Sequence, residues 1–249
     1  MGALAACIVD RFGEDALTAV AAAADLSPAD VRKSSKWVRY ERFERLLIAA
    51  RERFSDDDAF RAACGYRLDR GYGPMRLLFH AMSPGMVYQR AFKSFSTISG
   101  ISSTEIVAHG RTFVRTRYRS TKKEHRLVCL SRQGQATMLP RLWGLPKARL
   151  VEHSCIAWGD DACEYEIHWY ELARWRPILA GLAAGGLAAW AVTYLGLTLP
   201  VLVGVLPALG ALAGYFYEIR RTNRENLRLG EDYQNALRDA MAEETETRK

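Results

Sequence analysis

Apolar and polar positions in the first hundred residues recur with the period of an α-helix. Between positions 43 and 54 the apolar side chains fall on one helical face; they are Phe43, Leu46, Leu47, Ala50 and Phe54. Ser27 before Pro28 predicts the start of another helix, because Ser caps a helix and Pro is favoured at its first position. Ser55 with Asp58, and Ser83 before Pro84, predict two further helix starts. We therefore expect a helical layer.

After Gly100 the pattern changes to short segments separated by turn residues. Residues 105–108 and 112–119 flank a His-Gly-Arg turn, and residues 149–158 and 163–170 flank a Gly-Asp-Asp turn. Each pair predicts a β-hairpin. The fold class expected is α+β, with N-terminal helices packed on antiparallel strands.

Residues 177–217 contain no Asp, Glu, Lys, Arg or His. One helix of this length would measure about 61 Å, twice the bilayer core, whereas two spans of about 18 to 20 residues fit. We predict a two-helix transmembrane hairpin with spans at 177–196 and 199–217. Small residues at spacing four, including Gly181, Gly185 and Gly210, favour close packing of the two helices. The alternative is a hairpin buried in a soluble core.

Basic residues flank the charge-free segment on both sides, and the turn between the spans carries no charge. They are Arg174, Arg176, Arg220, Arg221, Arg224 and Arg228. The positive-inside rule then places both termini in the cytoplasm of a bacterium, with the chain as a multi-pass protein of the inner membrane. The net charge of the chain is +7; residues 218–249 hold 7 basic and 8 acidic groups, so residues 1–176 carry +8. This basicity suits an anionic bilayer surface, and no nucleic-acid motif accompanies it.

The expected domain organisation is a cytoplasmic domain at 1–176, the hairpin at 177–217 and a charged cytoplasmic helix at 218–249. A heptad reading of the last segment gives a seam that is only half apolar. The segment is either a short dimerising helix or a solvated one. Partners expected are therefore the lipid bilayer and either a second copy of the chain or a signalling protein.

Three of the five cysteines lie close to one acidic residue in the second half of the first domain. Cys155 follows Glu152 by three positions, Cys163 lies across the Gly159 turn, and Cys129 lies upstream. Three thiolates and one carboxylate would form a closed tetrahedral zinc site. The alternative is a set of core cysteines beside an exposed Glu152.

The segment from Cys129 to Trp169 resembles the C-terminal half of the 4-vinyl reductase domain family. The matching positions are Cys129, Gly134, Glu152, Cys155, Gly159, Asp160, Cys163 and Tyr165. That family includes the ligand-sensing domains of phenol- and toluene-responsive activators and a protein of bacteriochlorophyll synthesis. The resemblance implies a structural zinc beside a pocket for a small apolar or aromatic ligand. By its spacing from the zinc motif, it also implies His80 as a ligand-binding residue.

No catalytic motif is present, since nucleophile elbow, P-loop, dinucleotide fingerprint and HExxH are all missing. We therefore expect a non-enzymatic, membrane-anchored sensory module that binds a small molecule and relays the signal to a partner or output domain. Two alternatives stay open: a membrane-tethered scaffold without a ligand, and a tetrapyrrole-related reductase.

Overall fold

The computed structural model describes residues 1–33, 37–68, 79, 81–98, 100–171, 173–196 and 200–247. The chain divides into two compact units, Met1–Trp169 and Tyr170–Lys249. Each unit has its own internal packing.

The described residues of the first unit begin with a helical half. Its helices are α1 (Gly2–Phe12), α2 (Glu14–Ala23), α3 (Pro28–Arg32), α4 (Tyr40–Arg51), α5 (Asp57–Cys64) and α6 (Pro84–Ile98). The Ser27 hydroxyl accepts a hydrogen bond from the Asp30 amide, as predicted for the start of α3. At α5 the cap is Asp56, not Ser55, because the Asp56 carboxylate accepts from the Ala59 amide.

A four-stranded antiparallel sheet follows, with the order β1-β2-β4-β3. Its strands are β1 (Ser102–His109), β2 (Phe113–Ser120), β3 (Arg149–Ser154) and β4 (Cys163–His168). Both hairpins predicted from the sequence are present, and β2 pairs with β4 to join them. The predicted α+β class with antiparallel strands is therefore confirmed.

The sequence reading missed helix α7 (Arg126–Met138), which runs between the two hairpins. Leu127, Val128 and Leu130 of α7 belong to the apolar core of α1 to α5. Cys129 belongs to a second core, formed with α6 and the sheet. Helix α7 therefore joins the two cores, and a Cβ at Gly134 would lie 2.0 Å from the Arg61 carbonyl oxygen of α5. This close crossing explains why a glycine interrupts the helix pattern.

The second unit contains α8 (Arg176–Tyr194) and α9 (Pro200–Thr247). The two helices pack antiparallel and closely: a Cβ at Gly181 would lie 2.0 Å from the Gly210 carbonyl oxygen, and one at Gly185 would lie 2.2 Å from the Leu206 carbonyl oxygen. Helix α9 continues unbroken from the apolar segment into the charged one, which the sequence reading had separated at residue 218.

Among the described residues, α8 alone is long and apolar enough to cross a membrane, with 19 residues and a mean hydropathy of 1.4. A two-helix transmembrane hairpin is therefore not shown. One such helix is weak support, because a core helix of a soluble protein meets the same requirement of length and composition.

Candidate functional site

Three buried thiols meet in the second core of the first unit. The Cys155 sulfur lies 3.5 Å from that of Cys129 and 4.0 Å from that of Cys163. The Cys129 and Cys163 sulfurs are 3.6 Å apart. These distances allow the three sulfurs to contact one common atom, so the trio (the thiol cluster) is a candidate metal-binding group among the described residues.

Each cysteine of the thiol cluster comes from a different local structure. Cys129 faces the sheet from the first turn of α7, Cys155 follows β3, and Cys163 begins β4. The turn between Cys155 and Cys163 depends on Gly159, whose φ of 103° is unfavourable for other residues. The hairpin therefore presents two thiols side by side, as the sequence predicted, and packing of α7 supplies the third.

Glu152, the fourth predicted ligand, lies outside the thiol cluster. Both of its carboxylate oxygens accept hydrogen bonds from the Arg126 guanidinium, at 2.6 and 2.7 Å, and one also accepts from the Gln133 amide at 2.9 Å. The same Arg126 group donates to the Cys155 sulfur at 3.1 Å. The carboxylate is therefore engaged in a charge-assisted pair that excludes it from a four-ligand set.

The electrostatics of the cluster favour one thiolate. Hydrogen bonds shared with the Cys129 and Cys155 thiols hold the pKa of Cys163 far below its ordinary value. The same bonds raise the pKa of Cys129. A second guanidinium, that of Arg132, lies 3.7 Å from the Cys129 sulfur and pairs with the buried Glu124. A lowered thiol pKa beside guanidinium groups is typical of reactive or metal-binding thiols.

A wall of aromatic rings lies in the same core, where α6 packs on the sheet. The Tyr88 ring stacks on Trp169 with centroids 4.6 Å apart and on Phe92 with centroids 6.0 Å apart. The Tyr88 hydroxyl donates to the Ala136 carbonyl oxygen at 2.7 Å, and the Trp143 indole donates to that of Met82 at 3.0 Å. Most polar atoms of this wall are therefore satisfied.

Trp169 is the exception in the aromatic wall. The residue is only 2% exposed, and its Nε1 has no hydrogen-bond partner among the described residues. A Cβ at Gly85 would approach its ring to 3.3 Å, so α6 starts directly against the indole. An unsatisfied buried donor costs about 1–3 kcal/mol, and a bound acceptor would remove that cost. Sequence reasoning missed Trp169, although a Trp directly after a buried strand was visible.

His80 lies outside the described residues, so its predicted role in ligand binding stays a prediction. Phe79 and Met82, on either side of His80, pack against the second core. Strand β2 carries three arginines, and their charge is neutralised in part within the sheet, since Arg115 and Arg117 both pair with Glu164.

Comparison with known proteins finds no matching family model and no matching curated protein. Solved structures of H-NOX proteins do share the fold. A structure from work on heme distortion in the H-NOX family aligns with a TM-score of 0.50 and 10% identity, over 68% of this chain and 92% of that one. An H-NOX protein from S. oneidensis in the Fe(II) ligation state gives 0.50 and 11%, over 68% and 96%. An Fe(II) unliganded H-NOX protein from K. algicida gives 0.49 and 11%, over 69% and 95%.

The resemblance to the 4-vinyl reductase family is therefore wrong as a family assignment, because the fold found is that of H-NOX domains and no family model matches. The matching residues between 129 and 165 specify a hairpin turn and a thiol group, which are local features and do not identify a family.

The zinc prediction is wrong as well. The proteins that share the fold are described with heme and Fe(II), not with zinc. The physical reason lies in Glu152: with its carboxylate bound by Arg126 and Gln133, three ligands remain where a structural zinc site uses four.

The described residues do not fit a heme either. A heme needs an axial side chain such as an imidazole facing an open space. His109, His125 and His153 are exposed, and His168 is bonded to Glu166 and stacked on Phe113. Between α6 and the sheet, the described residues place stacked aromatic rings, those of Tyr88, Phe92 and Trp169, and no imidazole. Residues 69–78 and 80 are not part of this test.

Proposed function

We propose that residues 1–169 form a sensory domain for a small molecule, bound at the aromatic wall between α6 and the sheet. The observation that carries the proposal is the buried Trp169 Nε1 without an acceptor among the described residues. The fold shared with H-NOX proteins supports it, because the structures that align with a TM-score of 0.50 come from work on heme distortion and from an Fe(II) ligation state, and so belong to domains with a small-molecule site. A ligand that is apolar or aromatic and carries one hydrogen-bond acceptor suits this wall.

The test is a thermal-shift titration of the full chain with small aromatic compounds, phenol and indole among them. A ligand that binds only the folded state raises Tm in proportion to the logarithm of its concentration. Trp169→Phe keeps the aromatic ring and removes the donor, so it should weaken the shift about tenfold in concentration. Trp158→Phe is the matched control, because Trp158 is 72% exposed and its ring contacts the Arg126 guanidinium.

A shift that Trp158→Phe and Trp169→Phe preserve equally would refute binding at the wall. Absence of a shift for every compound would favour the alternative of a tethered scaffold without a ligand.

We propose further that the second unit anchors the chain in a bilayer through residues 177–217. Its packing is inverted relative to a soluble protein: glycines occupy the helix contact, and large apolar side chains point outward. The outward residues include Leu187, Trp190, Tyr194, Val203, Leu209 and Leu212, all more than half exposed except Leu212. An apolar surface of this extent suits lipid and is rare on a soluble monomer. Extraction of membranes at alkaline pH should leave the full chain in the pellet.

Under this proposal the chain is a multi-pass protein of the inner membrane of a bacterium, with both termini cytoplasmic. At the open end of the hairpin, the segment before α8 is fixed to α9. The Glu171 amide donates to the Asn226 side chain at 2.8 Å, and the Arg174 amide donates to Glu218 at 3.0 Å. A change near Trp169 would reach α9 through these bonds within one short segment.

The partner of α9 is proposed to be a signalling protein in preference to a second copy. Thr222 and Asn226, which a heptad seam would offer to a partner helix, are already used: Thr222 is buried and Asn226 binds Glu171. A dimer along this seam would have to displace those contacts. Measuring the mass of the full chain in detergent by light scattering decides between the two.

The thiol cluster is proposed as a ligand set for a soft monovalent ion, with Cu(I) as the probe. The three sulfurs lie 3.5 to 4.0 Å from one another and could coordinate one ion together, which suits Cu(I). A three-sulfur site does not need Glu152, whose carboxylate stays paired with Arg126. Competition with a colorimetric Cu(I) chelator should show one ion per chain, lost in Cys155→Ser and kept in Cys7→Ser. Equal retention by both variants would refute the assignment.

A further inference from the structure

An open cavity of about 610 Å³ lies along the surface of α9, where the charge-free segment ends, and the described residues that line it all belong to α9. Its lining combines aromatic and basic side chains; the residues are Ala213, Phe216, Tyr217, Arg220, Arg221, Arg224, Glu225 and Arg228. Phe216 and Tyr217 are 56% and 59% exposed. The cavity is therefore apolar toward the anchor and strongly basic on the other side.

Three of the four arginines are available for a ligand. Arg220, Arg224 and Arg228 follow each other at spacing four, which places them on one face of α9 over about 12 Å. None of the three forms an ion pair with a described residue, whereas Arg221 pairs with Glu225 at 3.4 Å. The stripe thus holds three guanidinium groups whose charge no neighbouring described carboxylate neutralises.

We propose that this arginine stripe (Arg220, Arg224 and Arg228) binds the phosphate of an anionic membrane lipid, with the acyl chains along the apolar part of α9. Guanidinium groups bind phosphate through paired hydrogen bonds. The stripe begins about 5 Å beyond Tyr217 along the helix, the depth at which headgroups follow an interfacial aromatic residue. The inference rests on the membrane anchor proposed above.

The source of the phosphate follows from the apolar wall of the cavity. Free phosphate makes no apolar contact with Phe216 and Tyr217, so both rings would remain exposed to water. A lipid covers both with its glycerol and upper acyl carbons while the phosphate meets the arginines. Each basic group near an anionic surface contributes about 1 kcal/mol, so three together should give a preference for anionic lipid well above tenfold.

The experiment compares the full chain in vesicles of phosphatidylcholine alone and of phosphatidylcholine mixed with phosphatidylglycerol. Lipid that stays bound after extraction in neutral detergent is identified by mass spectrometry. The wild type should retain phosphatidylglycerol over phosphatidylcholine by at least about tenfold. The triple variant Arg220→Gln, Arg224→Gln and Arg228→Gln should lose that preference and still insert. A control triple variant, Arg11→Gln, Arg42→Gln and Arg141→Gln, has the same charge change at exposed positions and should keep it.

The possible failures are distinguishable. Insertion into both vesicles without a lipid preference overturns the headgroup site and leaves the anchor intact. Association with the mixed vesicles alone, reversed by salt, shows charge attraction without a spanning anchor, and it overturns both the anchor and the lipid site that rests on it. No association with either vesicle overturns both. If millimolar inorganic phosphate displaces phosphatidylglycerol and raises Tm as much as the lipid does, the stripe is a free-phosphate site and the lipid assignment is overturned.

Discussion

The contact between α8 and α9 gives the sharpest test of the packing, because two adjacent glycines differ in their surroundings. A Cβ at Gly185 would lie 2.2 Å from the Leu206 carbonyl oxygen and 2.8 Å from the Pro207 Cα. A Cβ at Gly186 would meet no atom within 4 Å. The variants Gly185→Ala and Gly186→Ala therefore add the same methyl group to a contact and to open space.

The expected difference follows from two effects of opposite sign. Alanine is more favourable than glycine in a helix interior by about 1 kcal/mol, and both variants gain this. At Gly185 the helices must separate by about 1 Å to restore ordinary contact, and overpacking of this kind costs about 1–3 kcal/mol. Gly186→Ala should therefore be neutral or slightly stabilised, and Gly185→Ala should be less stable than it by about 1–3 kcal/mol.

Thermal unfolding of the full chain in mild detergent, followed by circular dichroism at a helix wavelength, measures this difference. Comparing the two variants with each other cancels the propensity gain. Equal midpoints for Gly185→Ala and Gly186→Ala would refute the close antiparallel contact, and with it the argument that glycines were placed there for packing.

Three further outcomes are expected. Gly134→Ala should lower the stability of the first unit by about 1–3 kcal/mol in urea unfolding, because its Cβ would meet the Arg61 carbonyl oxygen at 2.0 Å; an unchanged midpoint would contradict the crossing of α5 and α7. Burial raises the pKa of the Glu164 carboxyl, but hydrogen bonds from Arg115 and Arg117 outweigh burial and lower this pKa below its ordinary value of 4.5. The ionised Glu164 carboxylate therefore stabilises the fold above about pH 4.5, and this contribution is lost as the pH falls through the lower pKa of the folded state. Glu164→Gln should reduce the loss of stability at acid pH, and an unaltered dependence of stability on pH would count against the pairing with the two arginines. In the ligand-free chain, Trp169→Phe removes an unsatisfied buried donor but leaves a cavity where part of the buried indole lay, so the two effects oppose each other and the net change in the free energy of unfolding should stay within about 1–3 kcal/mol; a larger loss would contradict the absence of a partner for the donor.

Local signals in the sequence predicted much of the first unit. The face from Phe43 to Phe54 and the cap at Ser27 identify α4 and α3, because period and capping act over a few residues. The turn at Gly159 predicted that Cys155 and Cys163 would lie side by side. These features need no knowledge of distant contacts.

The features that the sequence did not reveal depend on tertiary packing. A glycine within a segment argues against a helix, so Gly134 made α7 hard to predict from the sequence. The structure shows that a glycine is needed there because α5 passes within contact distance. The spacing of Glu152 from Cys155 predicted a metal ligand. In the structure, Arg126, one turn before Cys129 on α7, donates hydrogen bonds to the Glu152 carboxylate instead. That arginine was the one available signal against a four-ligand zinc site. Local spacing identified neither the family nor the cofactor.

Hydrogen–deuterium exchange of the full chain, with and without saturating phenol, would show whether the first unit binds a ligand and whether α9 responds. Phenol should slow exchange in α6 and around Trp169, and it should change exchange in residues 170–176 and in the α9 segment that holds Asn226. Trp169→Phe should abolish both effects, and Trp158→Phe should preserve them. Identical exchange with and without phenol, in a chain that shows no thermal shift with any compound of the panel, would contradict the proposal of a sensory domain.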